Sequence, residues 1–182
     1  MKRSTGTLMA ASLMFMGLLT ACGRTPSQAA ANPPSNPQDW VVQNVGHKQV
    51  TFKVFAGESN RMTFNGEGNG QLVLTVPTGW HVSMSFVNVD NAQVHSAMIV
   101  PLQWHSQINI PETAIAFPHA STPNPMVGSS YGIQQTFHFT AGKPGTYALV
   151  CGISGHAAMG MWDAFVVSST ATRASAKIRA HE

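Results

Sequence analysis

Apolar and polar positions alternate with a period of two along much of the chain. In residues 48–55 (KQVTFKVF), Val50, Phe52 and Val54 fall on one side and Thr51 and Lys53 on the other, the pattern of a half-buried strand. Residues 71–76 (QLVLTV) predict a second strand, ended by Pro77-Thr78-Gly79. Trp80, Val82, Met84 and Phe86 then alternate with His81, Ser83 and Ser85, which predicts a third. Further strands are expected over 93–100 (QVHSAMIV) and 161–167 (MWDAFVV), and a short one at Met62-Thr63-Phe64 before the turn Asn65-Gly66. Residues 136–139 and 146–151 flank the turn Ala141-Gly142-Lys143-Pro144-Gly145 and predict a hairpin. No segment of these has a helical period, so the chain reads as an all-β sandwich.

Residues 101–135 interrupt this rhythm. Pro101, Pro111, Pro118, Pro123 and Pro125 forbid a long regular strand, and a structureless stretch of this length would be unusual inside a compact domain. Short strands or helical turns are expected here, as a long, partly irregular insertion folded over one end of the sandwich.

The N-terminus is built differently. Met1-Lys2-Arg3 precedes an uncharged, mostly apolar run from Thr7 to Thr20, too short for the roughly 20 residues of a membrane-spanning helix and typical of a secretory signal. The run ends in Leu19-Thr20-Ala21-Cys22, small residues before a cysteine, which resembles a bacterial lipoprotein signal. Residues 1–21 are therefore expected to be removed and Cys22 lipidated, placing the protein outside the cell or in the periplasm on a membrane anchor. Residues 22–39 are Pro/Ala-rich and aperiodic. They read as a lipid-anchored linker with a reach on the order of 50 Å when extended. Residues 40–168 form the domain, and 169–182, without a clear apolar face, are expected to be a flexible tail.

Charge narrows the partners. The chain has 10 Lys+Arg and 7 Asp+Glu, and Lys2 and Arg3 lie in the removable segment, so the remainder is nearly neutral. That is no footprint for nucleic acid. Only 9 % of residues are charged, which leaves few carboxylates to protonate and suits acidic surroundings.

With Cys22 lipidated, Cys151 is the one remaining thiol and has no disulfide partner. A lone thiol can be inert, a nucleophile or a metal ligand, and its neighbours favour the last. Cys151, His156 and Met161 follow one another at spacings of five, from the end of one predicted strand to the start of the next. Thiolate, imidazole and thioether together select copper over hard cations. A second imidazole must come from elsewhere, and His95, in the predicted strand 93–100, is the best candidate. His105 and His119 are weaker alternatives because they lie in loops, and Met159 competes with Met161. His81 reads as a surface residue, His138 as a satisfied sheet residue, His47 and His181 as loop or tail residues, and Ala157 and Ala158 as part of an apolar surface beside His156.

The segments Phe64-Asn65-Gly66, Val76-Pro77-x-Gly79-Trp80, Phe86-x-Asn88-x-Asp90, His95-Ser96, Val150-Cys151-Gly152-Ile153-x-Gly155-His156 and Gly160-Met161-Trp162 resemble the sulfocyanins. These are membrane-associated mononuclear blue copper carriers of acidophilic respiratory chains. The resemblance covers about residues 50–168 and implies a cupredoxin-like Greek-key sandwich holding one type 1 copper ion. It implies His95, Cys151 and His156 as strong ligands, Met161 as the weak axial one, and Ser96 as a neighbour that tunes the site. It further implies transient redox partners such as a cytochrome or terminal oxidase, and a monomeric carrier rather than an enzyme. Copper enzymes of this superfamily need a second metal centre, and a binuclear centre needs a second cysteine where Gly155 stands. A copper chaperone or storage protein is the remaining alternative.

Overall fold

The computed structural model describes residues 34–180, and its strands form two sheets packed face to face. The first has the order β1 (Val41–Asn44), β2 (Gln49–Ala56), β4 (His81–Asn88), β6 (Gln134–Thr140). The second has the order β5 (Met98–Pro101), β7 (Gly145–Val150), β8 (Trp162–Ser168), β3 (Leu72–Pro77), β9 (Ser175–Ile178). The pairs β2/β4 and β3/β8 are parallel and the rest antiparallel. Neighbours distant in sequence mark the crossovers of a Greek key, so the expected all-β sandwich is what forms.

Alternation explains the layers. Val50, Phe52 and Val54 of β2 and Val82, Met84 and Phe86 of β4 turn inward and are buried, while His81 on β4 is exposed. Phe52 and Phe139 from the first sheet meet Phe165 of the second at ring-centroid distances of 6.2 and 5.7 Å. Fully burying a phenylalanine stabilises by about 1.5–3 kcal/mol, and Phe52, Phe64, Phe86 and Phe165 are all fully buried.

Four expectations need correction. Residues 136–139 and 146–151 do not form a hairpin: β6 and β7 lie in different sheets, and the turn between them carries the chain across the sandwich. Pro144 offers no N–H for a hairpin ladder there. The strand expected over 93–100 shrinks to β5, because Asp90 and Asn88 hold Ala92 and Gln93 in a hydrogen-bonded turn. Met62-Thr63-Phe64 yields only isolated bridges from Phe64 to Ala56 and Glu67. The tail is not free: Ser175–Ile178 pairs antiparallel with β3, and Ala176 is buried. Short edge strands with one or two apolar residues carry little periodic signal, which is why β1 and β9 were not visible.

The linker's end is also docked. A 3-10 turn at Pro37–Trp40 buries Trp40, and Gln38 Nε2 donates to the Ala176 carbonyl at 3.1 Å. The signal segment and Cys22 lie outside the described residues. Among the described residues, no helix is long and apolar enough to cross a membrane.

The insertion after β5 contains two short 3-10 turns, Leu102–Trp104 and Glu112–Ala114. It covers the outer face of the second sheet, where Met98, Val100, Ile110, Ala148, Val150 and Ala157 make a second apolar cluster. The same insertion brings residues 125–128 and 108–109 against the loop that follows Cys151.

Candidate metal centre

Cys151 follows the last residue of β7, and its N–H donates to the Met161 carbonyl at 3.2 Å. The Met161 N–H donates in turn to the His156 carbonyl at 3.0 Å. These two bonds close the loop 152–160 on itself and hold Cys151, His156 and Met161 at its two ends and its middle. Gly160 makes the closure possible: it has φ +98°, and a Cβ there would lie 2.6 Å from Asn69 Oδ1.

His95 arrives from the turn before β5. Its N–H and carbonyl exchange hydrogen bonds with Ser129, at 3.3 and 2.8 Å, an isolated bridge rather than a strand. The structure brings His95, Cys151 and His156 together, with one ligand atom from each within 4.8 Å of the others. Cys151 Sγ lies 3.5 Å from His156 Nδ1, and the two imidazole centroids are 5.1 Å apart. All three residues are buried, and Met161 is fully buried in the same apolar cluster as Cys151. Ser96 adjoins the sulfur through both its N–H and its hydroxyl.

Among the described residues the other histidines stay away, and His181 lies outside them. His81 bonds Thr140 and His138 bonds Ser83 on the exposed face of the first sheet. His105 packs edge-on against Trp162, and His119 is exposed. Met159 is 59 % exposed, which removes it as an internal ligand. Ala157 is a correction to the surface reading: it is 1 % exposed, because the turn ending at Gly160 presses it into the outer apolar cluster.

One participant was missed. Asp90 is fully buried, and its Oδ2 lies 2.9 Å from His95 Nε2. Burial pushes its carboxyl up, but hydrogen bonds from His95 and from the N–H groups of Ala92 and Gln93 outweigh that and leave its pKa lowered. The only sequence signal was its place in Phe86-x-Asn88-x-Asp90.

Burial shifts both donors toward their neutral forms. Burial raises the Cys151 thiol, although the N–H groups of Ile153 and Ser96 and the Ser96 side chain pull it back. Burial lowers the His156 pKa, assisted by His95 and opposed by Asp90. A neutral imidazole is the ligating form. His95 Nδ1 is buried without a hydrogen-bond partner. An orphaned buried nitrogen is costly unless something accepts its lone pair. A thiolate, two imidazoles and a buried thioether fit copper.

The sulfocyanin (SoxE) domain model matches residues 41–178. A sulfocyanin of Sulfolobus acidocaldarius is 33 % identical over 117 residues, which make up 62 % of this chain and 59 % of that protein. Among solved structures, dithionite-reduced auracyanin of Roseiflexus castenholzii shares 25 % identity over 65 % of this chain and 96 % of its own, with a TM-score of 0.49. Auracyanin A of Chloroflexus aurantiacus, described as a "blue" copper protein, shares 19 % identity over 66 % of this chain and 99 % of its own, also at a TM-score of 0.49.

Proposed function

The chain belongs to the sulfocyanin family, and from that premise we propose that it is a one-electron carrier holding a single copper ion. The observation that carries this reading is the buried convergence of His95, Cys151 and His156 with an unpartnered His95 Nδ1. His95, Cys151 and His156 would hold the ion, and the buried thioether of Met161 would be a weaker donor from the end of the same loop. Bound there, copper supplies a reversible one-electron couple.

The protein's own contribution is rigidity and access. The hydrogen bonds at Cys151, Met161 and His95 leave the donor atoms little room to shift, so little reorganisation accompanies a change of charge. Burial keeps water from the sulfur. His156 keeps 7 % of its surface exposed, and the apolar side chains Ile108, Val127 and Met159 are exposed around its loop. Gly155 donates to the Ile108 carbonyl, and a Cβ on Gly128 would touch Ile153, so both flanks are joined to the ligand loop. This rim is the docking surface for transient redox partners such as a cytochrome or terminal oxidase, in small encounters that need less than about 1,200 Å². Lipidated Cys22 tethers the otherwise monomeric domain to the periplasmic or extracellular side of a membrane.

The test is a metal analysis with an absorption spectrum of the Cu(II)-loaded protein. One copper per chain with an intense thiolate-to-copper visible band, bleached reversibly by reductant and absent in Cys151→Ser, is expected. A pale protein that takes up Cu(I) and passes it on would overturn the carrier in favour of a chaperone.

A further inference from the structure

We infer that Asp90 is a positioning residue that selects the metal-binding tautomer of His95. The inference rests on the copper site proposed above, but it concerns an interaction within the chain that exists with or without the metal.

A carboxylate can only accept hydrogen bonds. Asp90 Oδ2, 2.9 Å from His95 Nε2, therefore fixes the proton on Nε2. The lone pair is left on Nδ1, the ring nitrogen without any partner. Nδ1 is thus the atom that His95 offers to the cluster with Cys151 and His156.

Asp90 is itself held firmly. Its Oδ1 accepts from the N–H groups of Ala92 at 2.7 Å and Gln93 at 3.1 Å. Its own N–H donates to Asn88 Oδ1 at 2.9 Å, and Asn88 Nδ2 donates to the carbonyls of Gln93 and Ser129 at 2.8 Å each. Ser129 is the residue that bridges His95. The carboxylate is therefore aimed from one side while the backbone of His95 is fixed from the other. Gly57 closes the third side: a Cβ there would lie 2.4 Å from Asp90 Cβ and 2.7 Å from His95 Nε2. No side chain fits at this position between the loop after β2 and the Asp90–His95 pair. Outer partners of this kind orient ligating histidines in metal sites generally.

Asp90→Asn gives a sharp test because it keeps the shape. The two N–H donors of Ala92 and Gln93 require an acceptor, so the amide oxygen takes the place of Oδ1. The amide nitrogen then faces His95 and donates to Nε2, driving the ring proton to Nδ1. Long-range proton–nitrogen-15 spectra of the full chain, recorded before and after loading with Cu(I), read the tautomer directly. In the unsubstituted chain the His95 proton is expected on Nε2 in both states. In Asp90→Asn it is expected on Nδ1 before loading, with Cu(I) affinity lowered by about 10–100-fold. A proton on Nδ1 in the unsubstituted chain overturns the inference, as does an Asp90→Asn protein with unchanged tautomer and affinity. Should the variant not fold, the unsubstituted spectrum alone decides. A chain that binds no copper yet keeps its Nε2 proton sinks the carrier, and with it the metal-binding role of the tautomer, while the selection of that tautomer by Asp90 stands.

Discussion

The Ser96 N–H lies 3.4 Å from Cys151 Sγ, and the Ser96 hydroxyl lies 3.7 Å from the same sulfur while accepting from the Gly152 N–H at 2.8 Å. One small residue thus donates to the thiolate and satisfies the first N–H of the ligand loop. Donors to a sulfur withdraw charge from it and favour the reduced metal, raising the potential. Ser96→Ala is expected to lower the potential while keeping the visible band. The Gly152 N–H, left buried without an acceptor, is expected to cost about 1–3 kcal/mol of stability. Cyclic voltammetry and thermal unfolding on the loaded protein check the two effects separately.

Gly57 has φ +78° and the two contacts under 3 Å described above. Gly57→Ala combines a left-handed backbone with overpacking of a dense wall. A destabilisation of about 2 kcal/mol or more is expected, together with displacement of His95 and weakened metal binding. Denaturant unfolding with and without copper measures it: the loaded protein should lose more stability than the metal-free one, because the strain falls on a ligand.

The contrast between Cys151 and Asp90 explains what the sequence can disclose. Cys151, His156 and Met161 share one short loop, so spacing alone placed them together. Val50, Phe52, Val82 and Met84 likewise declared their sheet by period two. Asp90 acts through a turn, and nothing in a linear pattern separates a buried carboxylate from the solvated ones around it. β9 escaped for a related reason: Ala176 is its only buried residue, and its position follows from β3 offering an unpaired edge. The placement of β6 and β7 in different sheets depends on how the sandwich closes, which a turn of five residues does not encode.

Val127 is 69 % exposed on the stretch that packs against Gly152 and Ile153 through Pro125 and Gly128. Val127→Asp puts a charge on the proposed docking rim without touching a donor atom. Electron transfer with a partner cytochrome is expected to slow by about tenfold or more, and the copper spectrum to stay as it was. Stopped-flow mixing of reduced and oxidised partners reads the rate. An unaltered rate at low and high ionic strength would place docking elsewhere.

Asp163 contributes a pH dependence opposite in sign to that of Asp90, whose lowered pKa makes its contribution fall in acid. Asp163 points into the sandwich and is fully buried; its Oδ1 accepts from the Leu72 N–H at 2.9 Å, and Oδ2 has no partner. Burial raises its pKa well above the usual carboxylate value; Glu67 adds to this, while the Leu72 bond and Arg179 only partly oppose it. Between the ordinary aspartate pKa near 4 and the raised folded one, the native chain keeps a proton that the unfolded chain has released. Stability from this group therefore falls as pH rises through that window, and the full penalty persists above it. In acid the penalty from this group vanishes, and the chain, only 9 % of whose residues are charged, has few ion pairs to lose. Asp163→Asn keeps the acceptor for Leu72 and removes the titration. It is expected to raise the melting temperature at neutral pH and to leave it nearly unchanged in acid. Melting curves from about pH 3 to pH 7 test this: a variant that is less stable at neutral pH would mean that the ionised carboxylate stabilises the fold.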